Sequence, residues 1–267
     1  MLGEMSSPWR ERAKRAVPGI VHGARLCRLL RNQIRYPLAA TILDLHGTVL
    51  AGPFAGLRCP RSGIGGYCDM LGTYEQSLQP VVEDIIRQPP RVIIVVGAAH
   101  GYYAGGFAKR CPDTRVVAYE MDSTRVRLMN KYLRLNGVID RVETRITRCG
   151  AKDLSTELRR EPHALLFMDV EGAEDLLLDP QEVPALRRAE ILVEVHDLFV
   201  PGVTDRIKRR FAGSHRQTLH VEALPQKPTL PAVFERFLRP YWRRMAVENR
   251  AEAGRWLHLV PLAQGAE

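Results

Sequence analysis

The sequence predicts an α/β fold: a mostly parallel seven-stranded sheet with helices on both faces, plus an N-terminal helical and hairpin extension. Three observations carry this. Val92-Ile93-Ile94-Val95-Val96 is a continuous apolar run of single-strand length that enters a small-residue turn, Gly97-Ala98-Ala99-His100-Gly101. Apolar runs then alternate with helical patterns as far as residue 222. The strand ends carry carboxylates and a histidine, which is where open α/β sheets bind ligands.

In chain order, residues 1–40 read as a basic helical arm, with Ile20, Ala24, Cys27, Leu30 and Ile34 on one face and Arg25, Arg28, Arg31 and Arg35 around it. Residues 40–58 read as a hairpin turning at His46-Gly47 or near Gly52-Pro53. Arg61–Tyr67 is glycine-rich but lacks the Gly-Lys-Ser/Thr ending of a phosphate loop, so a mobile loop over the site is expected. Thr73 is expected to cap a helix carrying Leu78, Val81, Val82, Ile85 and Ile86, which stops before Pro89-Pro90. Strands are then expected at 91–96, 115–120, 141–146, 164–169, 190–196 and 215–222. Helices are expected at 101–111, 123–136, 153–160, 174–178 and 203–212 between them. After a proline-rich break from Pro225 to Pro231, an arginine-rich helix is expected over 232–252, and 256–260 as an edge strand. The domains read as residues 1–71, the extension, and 72–267, the main domain with a 225–255 helical insertion.

Composition narrows the classes. With 45% hydrophobic and 26% charged residues the chain is ordinary globular material, and no apolar run approaches the roughly 20 residues of a membrane span. No apolar stretch follows the basic N-terminus, so a soluble, cytoplasmic protein is expected. Cys27, Cys59, Cys68, Cys111 and Cys149 are scattered, with no CxxC pair, and read as reduced thiols rather than a disulfide framework or zinc site. The net charge of +9 is mostly arginine spread along the chain, without the aromatic-plus-basic motifs of nucleic-acid readers, so nucleic acid is disfavoured as a partner. Oligomeric state is not readable.

At the strand ends, Gly97 and Gly101 frame a turn whose helix points free N–H groups toward a ligand. Glu120 ends the second strand, placed to accept hydrogen bonds from ribose hydroxyls. Cys149-Gly150 follow the third strand, Asp169-Val170-Glu171-Gly172-Ala173-Glu174 the fourth and Glu194-Val195-His196-Asp197 the fifth.

Gly97-Ala-Ala-His-Gly-Tyr-Tyr103, Ala118-Tyr-Glu120, Asn136-Gly137, Met168-Asp-Val-Glu-Gly-Ala-Glu174 and Val193-Glu-Val-His196 resemble the FkbM-type S-adenosylmethionine-dependent methyltransferases, of the Rossmann-like class I superfamily. The likeness covers roughly residues 72–222. It implies S-adenosylmethionine as cofactor and methyl transfer to an oxygen of a sugar or small molecule. Gly97, Ala98, Ala99, Gly101, Tyr102, Glu120, Cys149, Gly150 and Asp169 are then the expected cofactor residues, with Cys149-Gly150 at the adenine. Val95 stands where the family carries an acidic residue, and Asp169 is the candidate to replace its contact; His100 stands where many relatives have Asn or Glu.

A hydroxyl acceptor needs a base, or a metal that lowers its pKa. His196, Asp169 and Glu171 are the candidate catalytic residues, with His196 as base because an imidazole titrates near neutrality. Asp169, Glu194 and His196 are also ligand types that suit a divalent cation, the less favoured reading, and no metal site is assigned. Glu174 is expected in the first turn of the next helix. Competing readings are a non-catalytic cofactor-binding protein, prompted by Val95, an RNA-directed methyltransferase, prompted by the charge, and a dehydrogenase, whose Gly-x-G-x-x-Gly turn the chain lacks.

Overall fold

The structure is a computed structural model and describes residues 38–59, 66–161, 163–246 and 253–262. Residues 1–37 of the expected 1–40 arm, residues 61–65 of the glycine-rich loop and the last part of the 232–252 helix lie outside the described residues. The chain divides into two compact units, residues 1–46 and 47–267. In the first, residues 38–46 are helical (α1), so the first arm of the expected 40–58 hairpin is a helix instead. Ala39, Ala40, Leu43 and Leu45 favour a helix and carry it through the β-branched pair Thr41-Ile42. The turn near Gly52-Pro53 does form: Thr48 bridges Arg58 antiparallel, and the Val49 and Gly56 amides donate to Leu57 O and Val49 O.

In the larger unit, α2 (Tyr67–Leu71) and α3 (Gln79–Arg87) precede the sheet. Thr73 does not cap α3. The helix is entered through a 3-10 turn at Gln76–Leu78, and the Thr73 hydroxyl donates to Ala246 O at 3.2 Å. The alternation then runs β1 (Val92–Val96), α4 (Tyr102–Arg110), β2 (Arg115–Tyr119), α5 (Ser123–Leu135), β3 (Val142–Arg145) and α6 (Ala151–Arg160). It continues with β4 (Leu165–Met168), α7 (Glu174–Leu177), a 3-10 turn at Pro184–Arg188, β5 (Glu190–Glu194), α8 (Val203–Phe211) and β6 (His215–Val221). The expected 232–252 helix is broken into α9 (Ala232–Leu238) and α10 (Trp242–Ala246) because Pro240 cannot supply a helical N–H.

Seven strands form one sheet in the order β3-β2-β1-β4-β5-β7-β6, where β7 is Arg255–Pro261. β1 pairs parallel with both β2 and β4, so the order reverses between β1 and β4 and opens a crevice at their carboxyl ends. The 256–260 segment was expected at an edge. It lies inside the sheet, antiparallel to both β5 and β6, and β6 is the edge. Trp256 explains the placement: its fully buried indole packs at a tilt against Phe167, with centroids 4.9 Å apart, on a sheet face that an edge strand would leave half open.

Alternate residues of β1 feed two cores. Ile93 and Val95 face a layer with Phe107, Met129, Leu133 and Phe54, whereas Val92, Ile94 and Val96 face Leu154, Leu158, Ile207 and Phe211. This is why the run reads as continuously apolar: helices cover both faces. Each such side chain contributes about 1.5–3 kcal/mol by leaving water.

Gly101 ties the turn to this packing. Its φ is 90°, and a Cβ there would lie 2.7 Å from Met129 Cγ on α5. Gly101→Ala is expected to cost roughly 2–4 kcal/mol from left-handed strain and overpacking. Chemical denaturation of the two proteins checks this, and an unchanged midpoint would refute it.

Candidate functional site

The site is built where β1 through β5 end. The turn after β1 is pinned to β2, since the Gly97 and Ala98 amides both donate to Tyr119 O at 3.0 Å. Gly97 has φ 82°, and a Cβ on it would stand 1.7 Å from the Asp169 carbonyl oxygen. The glycine thus lets the ends of β1 and β4 close on each other, with the Asp169 amide on Val96 O at 2.9 Å. α4 starts at Gly101 with no side-chain cap, which leaves its first amides facing outward at the positive end of the helix.

Glu120 is 5% exposed and faces this turn. Its Oε2 accepts from the Ala99 amide at 2.9 Å and its Oε1 from the Asp122 amide at 2.8 Å. Ala99 is held at φ 47°, a conformation that non-glycine residues seldom adopt, so the carboxylate helps hold a strained turn. Each carboxylate oxygen has a second lone pair for a ligand. Asp122, next in the chain, caps α5 through the Thr124 and Arg125 amides instead.

Beyond β3 a cavity of about 260 Å³ is lined by Arg148, Cys149, Gly150, Ala151, Ala173, Leu176 and Leu177. Cys149 and Gly150 therefore border a hollow. Burial, with Asp153 nearby, pushes the Cys149 thiol up to about 12, which keeps it protonated and unreactive. Tyr102 is 5% exposed and packs edge-on against Phe54 and Tyr74, within the aromatic core. Val95 is likewise buried, and two acidic residues flank the turn, Glu120 through its carboxylate and Asp169 through its backbone.

The ends of β4 and β5 converge on His196. Its Nδ1 lies 2.6 Å from Glu174 Oε1, a partner on the first turn of α7 that the sequence did not reveal. Its Nε2 faces Glu171 Oε2 at 3.4 Å, Glu194 Oε2 at 3.7 Å and Asp169 Oδ1 at 3.8 Å. Phe199 stacks on the ring, with centroids 5.6 Å apart and planes at 18°. Burial opposes charge on the imidazole, but the Glu174 hydrogen bond and the charges of Glu174, Asp169 and Glu171 outweigh it and hold its pKa above the ordinary value. Glu171, 63% exposed at its side chain, is the other non-glycine residue of the site at positive φ, 52°. Asp197, the neighbour of His196, is engaged by Thr204 and Arg255 and so serves the fold.

A second pairing escaped the sequence reading. His100 Nε2 lies 2.9 Å from Asp69 Oδ2, a buried carboxylate on α2, which draws residues before the sheet onto the first turn. No local spacing announces a contact across 31 residues.

No family profile and no curated protein matches the chain. Solved structures do. The O-methyltransferase TomG from Streptomyces achromogenes, solved with S-adenosylmethionine, is 20% identical with a TM-score of 0.45, over 76% of this chain and 83% of that one. An O-methyltransferase from Bacillus cereus, solved with S-adenosylhomocysteine, is 14% identical with a TM-score of 0.43, over 87% and 96%. One from Thermotoga maritima is 13% identical with a TM-score of 0.45, over 78% and 74%. These likenesses concern the fold alone. The order β3-β2-β1-β4-β5-β7-β6, with β7 antiparallel, is an open, mostly parallel Rossmann-like α/β sheet.

Proposed function

We propose that the protein is an S-adenosylmethionine-dependent methyltransferase acting on a hydroxyl oxygen of a small molecule or glycan, as the FkbM resemblance implies. The observation that carries this is Glu120: it ends the strand beside the glycine turn, faces that turn, and keeps lone pairs for two ribose hydroxyls. The turn residues Gly97, Ala98, Ala99 and Gly101 shape the cradle, and the uncapped start of α4 suits the methionine carboxylate. Cys149 and Gly150 border a hollow that suits the adenine, and Asp169 takes the place of the acid that Val95 lacks. When bound, S-adenosylmethionine supplies a methyl group on a sulfonium, open to in-line attack.

The acceptor oxygen bonds to the methyl carbon, the C–S electron pair stays on sulfur, and the hydroxyl proton must leave. His196, Asp169 and Glu171 sit together at the end of the cleft where that proton can be handled, with Glu174 as the positioning residue behind the imidazole. The acidic surroundings of His196 also repel phosphate, which argues against RNA as acceptor.

Titration calorimetry with S-adenosylmethionine, and separately with NAD, tests the reading. Saturable one-to-one binding of the first and none of the second is expected. Binding of NAD alone would replace the proposal by a dehydrogenase, and S-adenosylmethionine binding without S-adenosylhomocysteine formation across cell-extract acceptors would favour a non-catalytic protein.

A further inference from the structure

We propose that Asp69, on α2 ahead of the sheet, is a positioning residue for the cofactor: it holds the His100 imidazole and, through it, the 97–101 turn. This rests on the methyltransferase reading, which makes S-adenosylmethionine the ligand of that turn. Gly97, Ala98, Ala99 and Gly101 have no side chain long enough to reach a distant partner, so His100 is the side-chain anchor within the turn. Its backbone lies between Ala99 at φ 47° and Gly101 at φ 90°. Such a left-handed stretch persists where its surroundings fix it. Glu120 fixes it from β2, through the Ala99 amide. Asp69 fixes it from α2, with His100 Nε2 2.9 Å from Oδ2.

The carboxylate is dedicated to this contact. Asp69 is 2% exposed. An ionised carboxylate only accepts, so Nε2 donates to it. The Cys68 thiol, at 3.7 Å from Oδ1, is a much weaker donor. Among the described residues His100 is the basic group that pairs with Asp69. Burial, helped by the Asp69 charge, raises the pKa of Cys59, Tyr102 and Tyr132, so these neighbours are neutral and offer no positive charge. Stranding a buried carboxylate is costly, and the two side chains therefore hold each other in place. The imidazole also packs against Tyr102 and Tyr132, with centroids 6.4 Å from each ring.

What the turn offers the cofactor is backbone. The Ala99 amide orients Glu120, and the first amides of α4 suit the methionine carboxylate. Backbone donors take their aim from whatever pins the turn, and a small misplacement costs much of their contribution. A second tie from the same segment, the Tyr103 hydroxyl donating to Glu75, holds α4 itself. Loss of the Asp69–His100 contact should therefore loosen the turn without releasing the helix.

The test is calorimetry of the full chain with S-adenosylhomocysteine, with denaturation curves showing that each variant is folded at the assay temperature. His100→Ala and Asp69→Ala are each expected to weaken binding by about 10–100-fold. The double variant should bind no worse than the weaker single one, because Asp69 acts through His100. His100→Gln should stay within a few-fold of wild type, since its Nε2 stands as many bonds from Cα as the imidazole Nε2 and can reach Asp69. His100→Asn, whose amide nitrogen falls short, should be as weak as His100→Ala. That contrast decides the matter even if Asp69→Ala does not fold. Unchanged affinity in His100→Ala and His100→Asn, even with lowered denaturation midpoints, overturns the proposal and leaves the methyltransferase reading standing. Losses that add in the double variant, or a His100→Gln as weak as His100→Ala, also overturn it alone. A wild type that binds no S-adenosylhomocysteine overturns both.

Discussion

Glu120→Ala is expected to lower S-adenosylmethionine affinity by at least about 100-fold, read by calorimetry. A carboxylate's hydrogen bonds contribute about 1.5–3 kcal/mol each, and two ribose hydroxyls together give about 3–6 kcal/mol. Part of the loss has a second origin, because the same carboxylate holds the Ala99 and Asp122 amides that keep the turn in shape. An analogue without ribose hydroxyls separates the two. It should bind wild type much more weakly than the cofactor does, whereas the variant should no longer distinguish the two ligands, as coupling in a double cycle requires. A variant that still prefers the hydroxylated ligand by the wild-type ratio would remove Glu120 from the ribose.

His196→Ala is expected to keep cofactor affinity within a few-fold and to lose about 100- to 10,000-fold in turnover, measured as S-adenosylhomocysteine released with an acceptor found by extract screening. The imidazole stands beyond the ends of β4 and β5, while the residues proposed for the ribose and adenine, Glu120 and Cys149-Gly150, follow β2 and β3, so the two readouts should part. Glu174→Gln should lose less, about 10–100-fold, because an amide oxygen still accepts from Nδ1 without the charge. Equal turnover in His196→Ala and wild type would end the assignment.

Much of this architecture was legible in the chain. β1 and β4 announce themselves because a strand covered on both faces must be apolar throughout, as Val92–Val96 and Leu165–Met168 are. The turn glycines were equally plain, although their reason is more exacting than ligand access. Gly97 is needed for the Asp169 carbonyl and Gly101 for Met129. What stayed hidden depends on contacts distant in sequence. Thr73 has the chemistry of a helix cap, yet its hydroxyl is taken by Ala246, 173 residues away. The inward position of β7 depends on which neighbours it bonds, and an apolar run such as Trp256–Val260 does not specify them. Glu174 looked like a dipole-favoured first-turn acid, and it is one, but the approach of β5 to α7 gives it His196 as well. Pro240 was the exception, a visible breaker inside an expected helix.

The insertion of β7 has a consequence for biosynthesis. As the nascent polypeptide emerges, β1 to β5 can assemble side by side, but the flank of β5 waits for residues 255–261 and meanwhile shows unsatisfied amides and carbonyls to solvent or to other chains. β6 cannot shield it, since among the described residues its ladder is to β7. Truncation or slow translation between residues 221 and 255 should therefore yield a sticky intermediate prone to edge-to-edge association, and chaperone dependence should be greatest in that window.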